Sequence, residues 1–186
     1  MRKIPLLVSV LLALLGSLSA VARAQRVEAY GTASIDPLHV RTSYSDTQII
    51  DYTPIGFTFG GTFNFISLHI LDVGLDARDT AANGANIWLA GFRVAAKPPI
   101  IRIKPYFKLA VGEARLKVPQ TSNPSEPNPV TTDYYLYNAA LGVDYKLNHF
   151  LDVRLIEIGD GRTLGGGSTN PTSFLTINFG IVLHTP

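Results

Sequence analysis

From residue 26 onward the chain is built from segments in which apolar and polar side chains alternate with a period of two. That is the signature of strands with two different faces. The clearest case is 134–146, where Tyr135, Tyr137, Ala139, Leu141, Val143 and Tyr145 occupy one face. Leu136, Asn138, Ala140, Gly142, Asp144 and Lys146 occupy the other. After a break at 147–150 the alternation resumes with Leu151, Val153 and Leu155 against Asp152 and Arg154, so the pair reads as a long β-hairpin. The same pattern predicts strands over 26–34, 54–65, 71–78, 86–96, 101–115 and 172–183, making eight in all, each long enough to cross hydrocarbon at a tilt. No helical period appears.

The connections alternate in length. Short ones are predicted at 65–67, 97–100 and 147–150, long ones at 35–53, 117–133 and 159–171, and an intermediate one at 79–85 around Asn83-Gly84. This arrangement gathers the longer loops on one rim of an up-and-down barrel.

The composition of the polar face decides which solvent it meets. Gly56, Gly60, Gly74, Gly91, Ala110, Gly112, Ala140 and Gly142 are interspersed there with large charges. Small residues beside ions suit the crowded interior of an eight-stranded barrel and not a broad solvated surface. The bulky apolar face then meets lipid. The lumen is predicted to hold an ion-pair network of Glu28, Asp72, Asp76, Asp144 and Asp152 with Arg93, Arg102, Lys104, Lys108 and Arg154. Unpaired charge in such an interior is costly, so near balance implies pairing. Trp88, Tyr135, Tyr137 and Phe174 near the long loops, and Phe63, Phe65, Tyr145 and Phe150 near the short turns, are placed as two aromatic girdles.

The first 24 residues read differently. Arg2 and Lys3 precede an apolar run of about 15 residues from Ile4 to Leu18, and Ala22-Arg23-Ala24 has the small-x-small form of a cleavage site. The run is shorter than the roughly 20 residues of a spanning helix. Residues 1–24 are therefore expected to be a secretory signal peptide, and 25–186 a single barrel domain.

Removing Arg2, Lys3 and Arg23 leaves 13 of the 16 basic residues against 14 acidic ones, which changes the formal charge from +2 to −1. No basic patch for nucleic acid remains. Cysteine is absent, which excludes disulfides and thiolate metal sites, and four scattered histidines offer little for a metal. Charged residues make up only 16% of the chain, low for a soluble domain.

With these features, and phrases such as Ala140-Leu141-Gly142-Val143-Asp144-Tyr145-Lys146-Leu147, the stretch Gln25 to Pro186 resembles the small eight-stranded outer-membrane barrels of the OmpA/OmpX type. Such barrels commonly end in an aromatic residue, whereas this sequence ends Leu183-His184-Thr185-Pro186. The resemblance implies a bacterial outer-membrane location, a lipid environment, a monomer, and contact with an extracellular ligand or protein through the long loops.

Three other functions are open to the sequence: a narrow gated pore, a soluble lipocalin-like carrier with the apolar face inward, and a lipid-modifying outer-membrane enzyme. The enzyme reading has little to build on. His69 and His149 fall near the short turns and His184 near the end. His39 alone lies in a long loop, near Ser34, Ser43 and Asp46 but at no spacing that enforces a triad. Gly165-Gly166-Gly167 lacks the Lys-Ser/Thr of a phosphate loop. The expectation is a non-enzymatic barrel with no cofactor, metal or catalytic residues.

Overall fold

The computed structural model describes residues 26–36, 38–41, 49–119, 129–164 and 173–185. The expected signal peptide and the loop segments 42–48, 120–128 and 165–172 lie outside the described residues. The elements in chain order are β1 (Arg26–Ile35), β2 (Leu38–Arg41), β3 (Ile49–Tyr52), β4 (Ile55–Ser67), β5 (Leu71–Ala82), β6 (Ala85–Ala96), β7 (Ile103–Pro119), β8 (Pro129–Lys146), β9 (Leu151–Leu164) and β10 (Ser173–His184).

Eight of these strands pair in the order β1-β4-β5-β6-β7-β8-β9-β10, and β10 returns to pair with β1. All the pairings are antiparallel, so the sheet closes into a barrel. The short strands β2 and β3 form a hairpin within the first long loop, and it docks on β10 where Ser173 faces His39 and Phe174 faces Leu38.

The alternation sorts the side chains as expected of a barrel in lipid. Ile55, Phe57, Phe59, Phe92, Leu109, Val111, Leu141 and Phe179 project outward, with Ile55 69% and Leu141 65% exposed. Arg78, Arg93, Lys108, Arg154, Asp144 and Glu157 lie inside, fully buried or nearly so. The polarity is inverted relative to a soluble barrel, which removes the lipocalin-like reading: the bulky apolar face is on the outside.

The strand boundaries differ from expectation where polar residues enter the alternation. The predicted break at 79–85 is strand: Asp79 points outward and Thr80 inward, and the hairpin turns on Asn83-Gly84 alone. Gly84 has φ 77°, a left-handed conformation that glycine adopts without steric cost. Outward residues become polar here because the strand has left the apolar belt, and the backbone pairing continues regardless.

For the same reason β7 runs to Pro119, β8 begins at Pro129, and β9 extends to Leu164, into segments expected to be loop. At the other rim, β4 continues through 65–67 to Ser67, and the turn is 68–70.

Backbone bonds continue the ring past the ends of the strands at this short-turn rim. The Lys97 N–H donates to the Ile70 carbonyl (2.8 Å), that of Lys146 to Arg102 (2.8 Å), that of His184 to Phe150 (2.8 Å) and that of Thr185 to Val27 (3.0 Å).

Candidate functional site: the lumenal ion-pair network

The inward face of β1 delivers Glu28 and Tyr30 to the barrel interior. β5 delivers Asp76 and Arg78, β6 delivers Arg93, β7 delivers Tyr106 and Lys108, and β8 delivers Asn138 and Asp144. β9 delivers Arg154 and Glu157, which point the same way only because of a bulge. Val143 of β8 pairs with Ile156 but Asp144 pairs with Arg154, which leaves Leu155 as the extra residue. Leu155 and Ile156 are both exposed, and the phase of the strand shifts by one residue after them.

Glu157 lies at the centre of the network. Its carboxylate meets Arg78 Nη1, Lys108 Nζ at 3.1 Å and Arg154 Nη1 at 3.4 Å. It also accepts hydrogen bonds from the Tyr106 hydroxyl (2.8 Å) and Asn178 Nδ2 (3.1 Å). Arg78 donates its other arm to Asn138 Oδ1 at 2.7 Å.

Lys108 lies 3.2 Å from Asp76, which accepts further bonds from Tyr30 (3.0 Å) and Thr62 (2.8 Å). Asp144 bridges Arg154 (3.0 Å) and Arg93 (2.8 Å), and Arg93 continues to Glu28. Four cations thus share four carboxylates, which is the balance a buried cluster requires.

Nearer the short turns, Lys97 binds Asp72 at 2.6 Å and Lys104 binds Asp152 at 2.6 Å. His184 stands between Asp152 (2.8 Å) and Glu28 (3.5 Å), spanning the β1–β10 seam.

Two tyrosine rings lie among the cations. The Arg154 guanidinium is 4.4 Å from the centroid of Tyr30 and 4.9 Å from that of Tyr106, and Arg93 is 4.5 Å from that of Tyr106. Ring faces carry negative potential, so they supplement the carboxylates. Glycines directly across the strand pairs give these rings their space. Tyr30 faces Gly60 and Tyr106 faces Gly142, and a Cβ on either glycine would fall 2.3–2.5 Å from ring atoms.

Nine of the ten charged residues expected in the lumen are found there in ion pairs: Glu28, Asp72, Asp76, Arg93, Lys104, Lys108, Asp144, Asp152 and Arg154. Arg102 is the correction. β7 begins at Ile103, so Arg102 belongs to the turn at the rim and is exposed.

The sequence reading left out Arg78, although it shares the parity of Asp72 and Asp76, and it missed Glu157, which strict alternation assigns to the lipid face. The available signal was the misfit itself: a glutamate between Ile156 and Ile158 has no tolerable lipid-facing register, so a bulge had to precede it. Phe174 is also corrected. Expected in the aromatic girdle near the long loops, it points inward instead, 2% exposed, into an apolar cluster with Ile87, Leu89, Ala114, Leu116 and Leu136. Gly161 faces it and leaves room for its ring. Trp88, Tyr135 and Tyr137 do point outward at this end.

The lumen is therefore layered, with charge toward the short turns and apolar packing toward the long loops on the β6–β8 side. Thr58, Thr80 and Asn178 supply a polar wall opposite, linked by bonds of 2.7 and 3.4 Å. Among the described residues the chemistry of the lumen is mutual neutralisation.

The Ser34 hydroxyl donates to Asp36 at 2.7 Å inside the barrel. Backbone pairing sets His39 across from Asp51 and Ser173, while Ser43 and Asp46 lie outside the described residues. Among the described residues no three His, Asp or Glu side chains gather as metal ligands.

No protein-family model matches the chain, and no curated protein is similar to it in sequence. Solved structures similar in shape include a de novo designed transmembrane β-barrel (16% identity, 86% of this chain and 95% of that one, TM-score 0.49). The attachment invasion locus protein Ail of Yersinia pestis is another (10% identity, 87% and 97%, TM-score 0.48). A third is the N-terminal β-barrel domain of Pseudomonas aeruginosa OprF (10% identity, 86% and 97%, TM-score 0.47). The barrel itself is established by the strand pairing and by the outward apolar belt.

Proposed function

We propose that this protein is a monomeric bacterial outer-membrane barrel, exported by residues 1–24, that neither conducts ions nor catalyses a reaction. In this reading its working surface is the long-loop end. The carrying observation is the neutralised lumen. Glu157, Arg154, Lys108 and Asp144 are fully buried and mutually paired, and an eight-stranded section has no further room once such side chains fill it. Opening a path would mean separating buried charges, at a cost of several kcal/mol for each ion left alone.

Two features support the long-loop end as the contact surface for an extracellular ligand or protein. The β2–β3 hairpin is annexed to β10 there, and the β7–β8 ladder continues to Pro119 opposite Pro129, beyond where β6 and β9 stop pairing.

Cell fractionation, gel mobility with and without boiling, and planar-bilayer recording test the reading together. Expected are recovery in outer membranes, a faster-migrating unboiled band and no steady conductance. A soluble periplasmic monomer would overturn the membrane assignment. Stable unit conductance would instead support the narrow-pore alternative.

A further inference from the structure

The short-turn rim carries a second feature that the lumenal network does not explain. Three turns, at 68–70, 97–102 and 147–150, surround an open vestibule of about 900 Å3 beneath the ion pairs. Its cationic lining is Lys97, Arg102, Lys104 and Lys146, and no carboxylate among the described residues lines it. Lys97 and Lys104 are held from behind by Asp72 and Asp152. Arg102 and Lys146 are exposed and form no ion pair among the described residues, so the mouth has an excess of positive charge.

The same turns expose large apolar side chains. Ile100 is 93% exposed, Leu68 56%, Phe150 56% and Leu147 47%. Tight turns in water favour Gly, Asn, Asp and Ser, and four bulky apolar side chains on three turns contradict that preference. Apolar side chains interleaved with cations match a different medium, the boundary between lipid headgroups and acyl chains.

We infer that the short-turn rim is a binding surface for anionic phospholipid, with Arg102 and Lys146 at the vestibule mouth contacting headgroup phosphate while Ile100, Leu147, Leu68 and Phe150 enter the acyl boundary. The inference rests on the membrane reading above and adds a lipid class and a rim of the barrel to it. Each cation near an anionic surface strengthens attachment about fivefold, so the two unpaired ones together contribute on the order of twentyfold.

The test uses the intact protein inserted in phosphatidylcholine vesicles with or without phosphatidylglycerol, with native mass spectrometry of the lipids retained on release. The wild type is expected to retain phosphatidylglycerol over phosphatidylcholine. R102Q/K146Q should lose roughly twentyfold of that preference, with an unchanged heat-modifiable band to show the barrel intact. Glycerol 1-phosphate and inorganic phosphate should not displace the lipid, whereas raised salt should weaken the preference. Equal retention of the two lipids, or a preference unaltered in R102Q/K146Q, overturns the inference and leaves the membrane barrel standing. Displacement by either soluble phosphate also overturns it and reassigns the vestibule to a free anion. Failure to insert into either vesicle removes the inference together with the membrane reading.

Discussion

The ring of Tyr106 occupies the volume that a side chain on Gly142 would fill. The two residues face each other across the β7–β8 ladder, and a Cβ on Gly142 would come within 2.3 Å of the tyrosine's ring and hydroxyl. That ring is anchored through its hydroxyl to Glu157 and stacked beneath Arg93, so it has little freedom to retreat. Gly142→Ala should therefore destabilise the barrel by about 1–3 kcal/mol, as overpacking does. Gly31→Ala is the control, because its Cβ would meet only Phe59 at 3.6 Å, an ordinary contact. Urea unfolding of the two variants in the same lipid should separate them. Equal destabilisation would show that the glycine at 142 serves the backbone and not the ring.

Glu157 is the carboxylate with the most partners, and its removal leaves Arg78, Lys108 and Arg154 competing for Asp76 and Asp144. Glu157→Ala is expected to cost about 3–5 kcal/mol, the range for breaking a buried pair from one side. The exposed pair Arg115–Asp133, 2.8 Å apart, should be dispensable, and Asp133→Asn should unfold with the wild type. Side-by-side denaturation curves check both.

Asp36 follows the last residue of β1, inside the barrel mouth, and burial pushes its carboxyl up from 3.8 to about 6 against the opposing effects of the Ser34 hydroxyl and Arg78. An acid raised in the folded state holds its proton there while the unfolded chain has already released it. Its contribution to stability is therefore complete below about pH 4 and is lost as pH rises through about 6. Asp36→Asn should remove this slope and raise stability at neutral pH by roughly 1–2 kcal/mol. Denaturation midpoints at pH 4 and pH 7.5 for both proteins measure it, and an unchanged slope would mean that Asp36 is not its source.

Leu141 sits midway between Tyr135 and Tyr145 on the outward face of β8, across from Phe107 and Ile158. Leu141→Arg would be harmless on a water-facing surface. In lipid it should destabilise by about 2–4 kcal/mol, the value for a cation near the bilayer midplane. Refolding yield and stability in vesicles provide the readout, and a neutral result would argue against lipid at that face.

The barrel was legible in the sequence because two solvents of opposite character meet its strands on alternate residues, and 134–146 records this directly. What escaped notice are the places where that contrast lapses. Around Asp79 the strand passes out of the apolar belt, the outward residues turn polar, and a continuing strand looks like a loop. Glu157 was hidden by the bulge at Leu155, which changes the phase without leaving any turn residue to announce it. Phe174 was assigned by its residue type and not by its parity, although parity places it opposite Leu175 on the inner face. Arg102 shares the parity of Lys104 but falls one residue short of β7, and a local pattern does not mark so small a shift in a strand end.

The partners of the lumenal cations lie far apart along the chain. Arg93 reaches back 65 residues to Glu28, Arg78 forward 79 to Glu157, and His184 closes on Glu28 only when the last strand meets the first. Until β10 joins β1, several of these charges have no counter-ion, and a partly closed sheet could enter lipid only with bare charge on its inner face. Full pairing of these charges is therefore a property of the closed ring and not of any one hairpin.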